Sequence, residues 1–315
     1  DWDKLEYTLD AQAEVKMGEV TRVFAPDTRI NGTARFEGKV VGTGVDYQAD
    51  GKLLSDNLTA RDVRIEGIHL KFDGKGKGAE FDANEEVLFQ KLDAAGFKVN
   101  RVVAAGRLAG NGEDLSWLFN FKAADVAGPD VKASGISFSN AKANFRINDL
   151  SKFKVTGKAQ VEHLVTADVN IGNITGDVTA TNTEVIVPNF SGAVFGGKAT
   201  GSARVRIDGK GSSEVKADLA ALNLDQATAV SAGKRLPLRG TADGKVNLAW
   251  NGFDYKSAEG TANLKCTGST INQEGTDGAG PLEGVPITGE LNAIASQRRL
   301  KINNTLIQTG ATKIT

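Results

Sequence analysis

Residues 5–17 read Leu5-Glu6-Tyr7-Thr8-Leu9-Asp10-Ala11-Gln12-Ala13-Glu14-Val15-Lys16-Met17. The odd positions of this run carry apolar side chains, and the even positions carry polar ones. Successive side chains of a β-strand point to opposite faces of a sheet, so the alternation predicts a strand with one dry face and one wet face. The stretch therefore indicates β-structure rather than helix.

The same alternation returns along the rest of the chain. It is found in residues 30–40, 153–161, 165–171, 174–180, 203–207, 242–250 and 258–266. Because Asn, Asp and Gly tolerate the positive φ of short hairpin turns, we expect such turns at Asp50-Gly51, Asp73-Gly74, Asp208-Gly209 and Asn251-Gly252. Glycine is frequent, with 37 of 315 residues, which suits sheets with many turns better than helices. We predict an all-β fold built as an antiparallel meander sheet, with a few short helices.

Three segments carry helix signals within this β-pattern. Asn84 is a candidate N-cap for residues 85–92, with acidic residues in the first turn and Gly96 after the end. Residues 113–119 resemble a second short helix, and residues 218–230 resemble a third.

These signals shape the expected domain organisation. We predict a β-sheet segment at 1–80, an irregular or helical insertion at 81–130, and a longer β-segment at 131–315. The alternative is that residues 1–315 form one continuous elongated domain.

Composition excludes several classes of protein. Lys and Arg number 38 and Asp and Glu number 39, so no net positive field would attract nucleic acid, and we expect no nucleic-acid partner. A single Cys excludes an intrachain disulfide, and with only two His the chain cannot form a zinc site of four Cys or of two Cys and two His.

Signals for membrane insertion and export are also missing from the sequence. No stretch approaches the ~18 consecutive apolar residues of a transmembrane helix. The first residues, 1–4, do not resemble a signal peptide, and the missing initiator Met suggests a mature chain or a section of something longer. We therefore expect any membrane anchor to lie outside these residues.

Glycine-rich segments invite comparison with phosphate-binding loops. Residues 192–199 nearly satisfy G-x-x-x-x-G-K-[ST], but Ala199 lacks the hydroxyl that would bind Mg²⁺. Residues 199–207 alternate as a strand where that motif requires a helix, so we interpret the segment as a glycine-bearing turn. Residues 74–78 could cradle an anion through backbone N–H groups, but a solvated loop with two lysines is favoured.

Residues suited to catalysis or metal binding are scarce. His69 and His163 lie far apart in strand-like sequence, and we interpret both as ordinary histidines. Cys266 falls on the apolar phase of its run, which predicts a buried, inert thiol. No serine has the G-x-S-x-G context of a hydrolase nucleophile. We expect no enzyme activity, no cofactor and no metal.

The apolar phase of the strands carries mostly small residues, Gly, Ala and Val, with occasional Leu, Ile or Phe. Packed sandwiches generally place bulkier side chains across a gap of ~10 Å. Small residues over many strands fit a face that leaves room for something else. On pattern alone, a sandwich or solenoid filled by its own side chains remains the favoured alternative.

A succession of motifs runs through residues 174–268. They are the strands 174–178 and 185–187, the turn and strand 192–202, the segment 217–222, and the strand 238–244. This block resembles the AsmA-like and TamB-like proteins of the Gram-negative envelope. In that family an (L/F)-F-G-G-x-x-x-G turn precedes an alternating strand, a D-L-A-x-L helix and an L-x-G-x-x-x-G strand. Residues 58–65 are similar to the L-T-A strands of the same family, although Val194 stands where the family usually has a larger residue.

The resemblance implies a specific fold and function. Such proteins form a long, curled sheet, folded like a taco, around a U-shaped apolar groove. They stand in the periplasm and are thought to carry phospholipid between the inner and outer membranes. We therefore expect phospholipid as the partner, and both membranes to be reached through segments outside this chain or through partner proteins. The inner-membrane anchor would be a segment absent here.

We expect a set of apolar residues on the alternating runs to line this groove. They are Phe36, Val40, Val155, Val161, Val169, Ile171, Val178, Val205, Ile207, Val246, Leu248 and Leu264. A register slip of one residue would turn each of these faces over.

Two other functions remain open. One is a non-catalytic structural or interaction subunit, or an envelope assembly factor, with a self-packed β-core. The other is a carbohydrate-active β-solenoid, which would cluster aromatic and acidic residues on one exposed sheet. Exposure of Val169, Val205 and Val246 separates the groove from the self-packed core, which would seal all three.

Overall fold

The computed structural model describes the chain with several gaps. The described residues are 2–24, 30–94, 96–146, 149–166, 169–231, 238–252, 254, 257–268, 285–296, 299–309 and 312–314. Strands make up 85% of the structure, and they are nearly all antiparallel, which confirms the all-β prediction. The chain divides into two compact units. Unit 1 is Asp1–Glu162 with Thr179–Asn182, and unit 2 is His163–Val178 with Thr183–Thr315.

Unit 1 is an antiparallel meander of long strands. A 3-10 helix (Trp2–Lys4) is followed by β1 (Glu6–Lys16), helix α1 (Met17–Phe24), β2 (Ile30–Thr43), β3 (Asp46–Ala60), β4 (Val63–Lys77), β5 (Glu80–Ala94), β6 (Phe97–Gly110), β7 (Asp114–Ala127), β8 (Val131–Arg146) and β9 (Asp149–Thr166), which lies mainly in this unit. From β1 to β8, each strand pairs with the next one in the sequence.

Unit 2 repeats this architecture with shorter strands. Its elements are most of β10 (Val169–Thr181), then β11 (Glu184–Val194), β12 (Gly197–Arg206), β13 (Ser212–Asn223), helix α2 (Leu224–Ser231), β14 (Leu238–Asn251), β15 (Glu259–Gly268), β16 (Val285–Pro286), β17 (Thr288–Ser296), β18 (Arg299–Thr309) and β19 (Thr312–Ile314). The strands β11 to β15 pair in sequence, and β17, β18 and β19 continue the antiparallel order from β15. The two-residue β16 pairs parallel to β14.

The helices expected near the middle of the chain are strands. Residues 85–92 lie within β5, and residues 114–119 lie within β7. The third segment is strand up to Asn223, but its remaining residues, 224–230, lie in α2, so the predicted helix is correct in its second half. Local helix signals are weak compared with tertiary context, and β5 is hydrogen-bonded to a neighbour along both edges. The irregular or helical insertion predicted for 81–130 is therefore wrong, because this segment contains three regular strands.

Two of the expected hairpin turns are also wrong. Asp50-Gly51 lies inside β3 and Asp73-Gly74 lies inside β4. The tight turns nearby occur instead at Gly44 and Gly78, which have φ of 60° and 59°. Gly51 leaves space for the ring of Phe72 on the neighbouring strand, because a Cβ at position 51 would lie 2.8 Å from Cζ of Phe72.

The other two expected turns lie close to where they were predicted. Asp208-Gly209 lies in the connection between β12 and β13, and φ of Gly209 is 69°. Asn251 is the last residue of β14, and Gly252 follows it with φ of 52°. The β12–β13 connection is longer than the two residues that were expected.

Few hydrophobic side chains are buried in the described part of the chain, and many of those are alanines. A buried cluster lies in unit 2, where Leu222 at the end of β13 and Leu224 at the start of α2 pack with Val194, Ala242 and Cys266. Most other apolar residues on the strands are only partly buried. No helix among the described residues is both long enough and apolar enough to cross a membrane.

Candidate functional site

The cross-strand registers of unit 1 align apolar residues into rows that run from β1 to β8. One row is Ala13, Phe36, Leu53, Leu70, Val87, Ala104, Phe121 and Phe138. The second row is Ala11, Gly38, Gly51, Phe72, Glu85, Gly106, Phe119 and Ala141. The third row is Leu9, Val40, Ala49, Gly74, Ala83, Leu108, Trp117 and Ala143. The fourth row is Tyr7, Gly42, Tyr47, Gly76, Phe81, Gly110, Leu115 and Phe145. Directly paired residues share one face of a sheet, so these rows form one surface, the apolar face of unit 1.

Aromatic rings on this face lie over glycines of neighbouring strands. A Cβ on Gly51 would lie 2.8 Å from Cζ of Phe72, and a Cβ on Gly110 would lie 3.0 Å from Cε1 of Phe81. Phe72 is also stacked on Phe36, with ring centroids 6.3 Å apart. In unit 1 the small residues thus accommodate neighbouring rings, and they do not simply leave an empty channel as their size suggested.

The opposite face of unit 1 carries most of the charged side chains. Lys52 pairs with Glu37 at 2.7 Å across β3 and β2. Arg107 pairs with Asp82 across β6 and β5, and this bond lowers the pKa of the Asp82 carboxyl. Exposed apolar residues such as Leu118 are scattered among these charges. The contrast between the two faces follows directly from the period-two sequence pattern.

Four of the predicted groove residues belong to unit 1, and all four are partly buried. Phe36 and Val40 lie in the rows of the apolar face. A Cβ on Gly157 of β9 would lie 2.8 Å from Cζ of Phe138, which is a residue of the same face. By the alternation of a strand, Val155 and Val161 lie on the side of β9 that Gly157 occupies.

Unit 2 has a corresponding apolar face with aliphatic rather than aromatic rows. Its rows are Val187, Ala203, Val215, Leu248, Gly260 and Ala295; Phe190, Gly201, Ala217, Val246, Ala262 and Ala293; and Gly192, Ala199, Leu219, Gly244, Leu264 and Leu291. Val205 pairs with Val185 two residues beyond the first row, which places both on the same face by strand alternation. The predicted residues Val246, Leu248 and Leu264 therefore share a face with Val205.

The remaining predicted residues of unit 2 lie close to the buried cluster or at strand ends. Val169, Ile171 and Leu264 pack against the cluster around Leu222. Ile207 follows β12 directly, where its N–H donates to the carbonyl oxygen of Thr183. Val178, in β10, is partly buried like the others.

The three residues chosen to separate a groove from a sealed core give an intermediate result. Val169, Val205 and Val246 are neither fully exposed nor buried. Partial exposure fits a surface with one open side, since a fully covered sheet buries its inner face. Only Val169 contacts the buried cluster in unit 2.

Glu85 is a residue of the apolar face that the sequence pattern did not single out. It was interpreted as a first-turn acid of a helix, but β5 places it between Phe72 and Gly106 in its row. It is the only charged residue in the described rows of either unit. A sequence signal for this position does exist, because Glu85 is the one acidic residue in an alternating apolar series. That series is Phe81, Ala83, Glu85, Val87 and Phe89.

The glycine-bearing segment at 192–199 is a hairpin turn between β11 and β12, as interpreted. Phe195 and Gly196 have φ of 47° and 73°, the combination of two positive values found in type I′ turns. A Cβ on Gly197 would lie 2.6 Å from the carbonyl carbon of Ala221, so this position has room only for glycine.

The other motifs have simple structural roles. Residues 74–77 are part of β4 rather than a loop, and Gly78 forms the turn after them. His69 and His163 are exposed on strands β4 and β9. Cys266 is buried, as predicted, and burial raises the pKa of its thiol. Among the described residues no group of three or more His, Cys, Asp or Glu side chains is placed to hold a metal ion.

Comparison of the chain with protein families, with characterised proteins and with solved structures finds no match. The resemblance carried by residues 174–268 therefore stays a prediction. The features of the described chain that bear on function are its two apolar faces and Glu85, the charged residue that interrupts one of them.

Proposed function

We propose that this chain binds phospholipid acyl chains along its apolar faces, as a section of a lipid-conducting groove of the AsmA-like and TamB-like kind. The observation that carries the proposal is the register: apolar residues of consecutive strands line up in rows, yet most remain partly exposed. A folded protein gains nothing by leaving such a surface open to water. A ligand with apolar chains would cover it.

The geometry of the rows suits an acyl chain that runs across the strands. Neighbouring strands are ~4.8 Å apart, so the rows from β1 to β8 extend roughly 34 Å along the sheet. Each methylene removed from water contributes about 0.8 kcal/mol. An acyl chain lying along a row would gain many small contributions to its binding free energy and no single large one. Such binding allows the acyl chain to slide along the face, whereas one deep pocket would hold it in place.

The chemistry of the faces is consistent with transport rather than catalysis. Acyl chains need no hydrogen-bond partner, and the rows of unit 2 contain no charged residue. Movement of lipid along a surface requires no bond to be made or broken. In this proposal the chain works in the periplasm, and segments outside it or partner proteins make the contacts with the inner and outer membranes.

The alternative function is a structural or interaction subunit with a self-packed core. The observation that favours it is the buried cluster of Val194, Leu222, Leu224, Ala242 and Cys266, which is sealed without any ligand. This cluster covers the apolar face of unit 2 at only one end of its strands. Val246 and Leu248 lie further along the same strand β14 and stay partly exposed.

The direct test is lipid extraction from the purified chain, followed by mass spectrometry. Val246→Asp places a carboxylate on the apolar face, and the matched control Asn247→Asp places one on the exposed opposite face of the same strand. We expect phospholipid at reproducible stoichiometry in the wild type and in Asn247→Asp, and loss of lipid in Val246→Asp. A wild-type chain that carries no lipid and protects its apolar residues from exchange would support the structural alternative.

A further inference from the structure

The carboxyl group of Glu85 interrupts an otherwise apolar surface in the middle of unit 1. Its row neighbours are Phe72 on β4 and Gly106 on β6. Along β5 the adjacent residues of the same face are Ala83 and Val87, by strand alternation. The carboxyl thus lies several strands away from either end of the described rows.

The hydrogen bonding of Glu85 is incomplete. The indole N–H of Trp117 donates to Oε1 of Glu85. Oε2 is buried and has no hydrogen-bond partner in the described part of the chain. Burial raises the pKa of this carboxyl, and the bond from Trp117 only partly opposes that effect.

No positive charge of the described chain compensates Glu85. Its charge is affected by burial and by the Trp117 hydrogen bond, without a contribution from a Lys, Arg or His. Charged groups in apolar surroundings are normally paired, because an isolated buried charge is strongly unfavourable. Glu85 is only partly buried, so a ligand on the apolar face can supply the missing partner of its carboxylate.

We infer that Glu85 is a head-group site, and that the amphipathic ligand of this face carries a protonated amine. This inference rests on the proposed function, since it assumes that the apolar rows hold an acyl chain. An ammonium supplies both features that Glu85 lacks, a hydrogen-bond donor for Oε2 and a compensating positive charge. Anionic groups are repelled, and a hydroxyl supplies the donor without the charge.

The aromatic residues around Glu85 add to this preference. Trp117 and Phe119 are stacked with ring centroids 3.9 Å apart, and Phe72 is the row neighbour on the other side. Cations are attracted to the faces of Trp and Phe rings, most strongly where water is excluded. Because Oε2 is buried, binding of such a donor requires the carboxyl to turn about its last side-chain torsion, which has only broad preferences.

The test compares two amphiphiles of equal chain length, dodecylamine and dodecanol, by isothermal titration calorimetry, with dodecylamine below its micelle concentration and dodecanol below its solubility limit. The variants are Glu85→Gln, which keeps the shape and an acceptor for Trp117, and Glu86→Gln, which removes a charge from the exposed opposite face. Glu85→Met is a second variant that fills a similar volume with an apolar side chain.

We expect dodecylamine to bind Glu85→Gln and Glu85→Met at least about tenfold more weakly than it binds the wild type, as for loss of a charged hydrogen bond. Dodecanol, which brings a donor but no charge, should be weakened less than dodecylamine by both substitutions of Glu85, and Glu86→Gln should behave as wild type. Equal weakening of dodecanol, or unchanged binding of dodecylamine, would overturn the amine assignment while leaving the acyl-chain site intact. If neither amphiphile binds the wild type, the proposed function fails as well.

Discussion

Two leucines on the apolar face of unit 2 allow a test of whether that face is open or packed. Leu222 is buried in the cluster at the start of α2, with 4% of its surface exposed. Leu248 lies on β14, where it pairs with Val215 and Gly260 and is only partly buried. Truncating each to alanine removes the same atoms from the same unit.

The expected losses of stability differ because only one site would leave a cavity. Leu→Ala in a sealed core costs 2–5 kcal/mol, so we expect about 3 kcal/mol for Leu222→Ala. Removing three carbons from a fully buried site forfeits about 2.4 kcal/mol of transfer energy. Since Leu248 already contacts solvent and its removal encloses no void, we expect roughly 1–1.5 kcal/mol for Leu248→Ala.

Urea unfolding of the chain, followed by far-UV circular dichroism, measures both losses of stability against the wild type. Lipid retention, measured by mass spectrometry on the same preparations, should show the reverse order. Leu248→Ala should lower the amount of bound phospholipid, and Leu222→Ala should leave it close to the wild-type level wherever the protein is folded.

Equal destabilisation by the two substitutions would refute this reasoning. It would mean that Leu248 is as tightly enclosed as Leu222, and hence that the apolar face is a packed interior. Equal lipid retention in both variants would separately contradict the assignment of Leu248 to a lipid-binding surface.

The remaining predictions concern charge, thiol chemistry and the open face. Because burial raises the pKa of Glu85, the folded state binds this proton more tightly than the unfolded state, and wild-type stability falls as pH rises through the raised pKa. The melting temperature of Glu85→Gln, relative to that of the wild type, should therefore increase as the pH is raised from 4 to 8. The melting temperature of Glu86→Gln should change with pH in the same way as that of the wild type. The thiol of Cys266 should react slowly with a disulfide reagent at pH 8 and rapidly in urea, since it is buried and its pKa is raised. Val205→Asp and Val246→Asp should each retain the strand signal in circular dichroism while losing bound lipid. Complete unfolding of both would indicate a packed interior.

The strands could be predicted because their signal is local. Alternation in residues 30–40 and 242–250 is visible without knowledge of any partner, and both segments are strands as expected. The shared face of Val246 and Leu264 follows from the pairing of Val246 with Ala262 on the strand that carries Leu264. Whether these residues bind lipid stays a prediction.

The errors arose where a distant partner decides the structure. Residues 85–92 combine an N-cap signal with alternation, and hydrogen bonds to β4 and β6 on both sides select the strand. Asp50-Gly51 has the composition of a turn, but the ring of Phe72 occupies the space above Gly51. Neither partner can be identified from the local sequence.

The same limit explains why Glu85 was missed and why it matters. In a helix, an acid in the first turn is stabilised by the helix dipole and needs no further explanation. In β5 the same residue lies among Phe72, Trp117 and Phe119, where an unpaired charge is unfavourable. A purely structural face would be more stable with an apolar residue at this position, as the proposed Glu85→Met substitution would provide. The presence of a carboxylate on an otherwise apolar surface is therefore better explained by a cationic ligand than by the stability of the sheet.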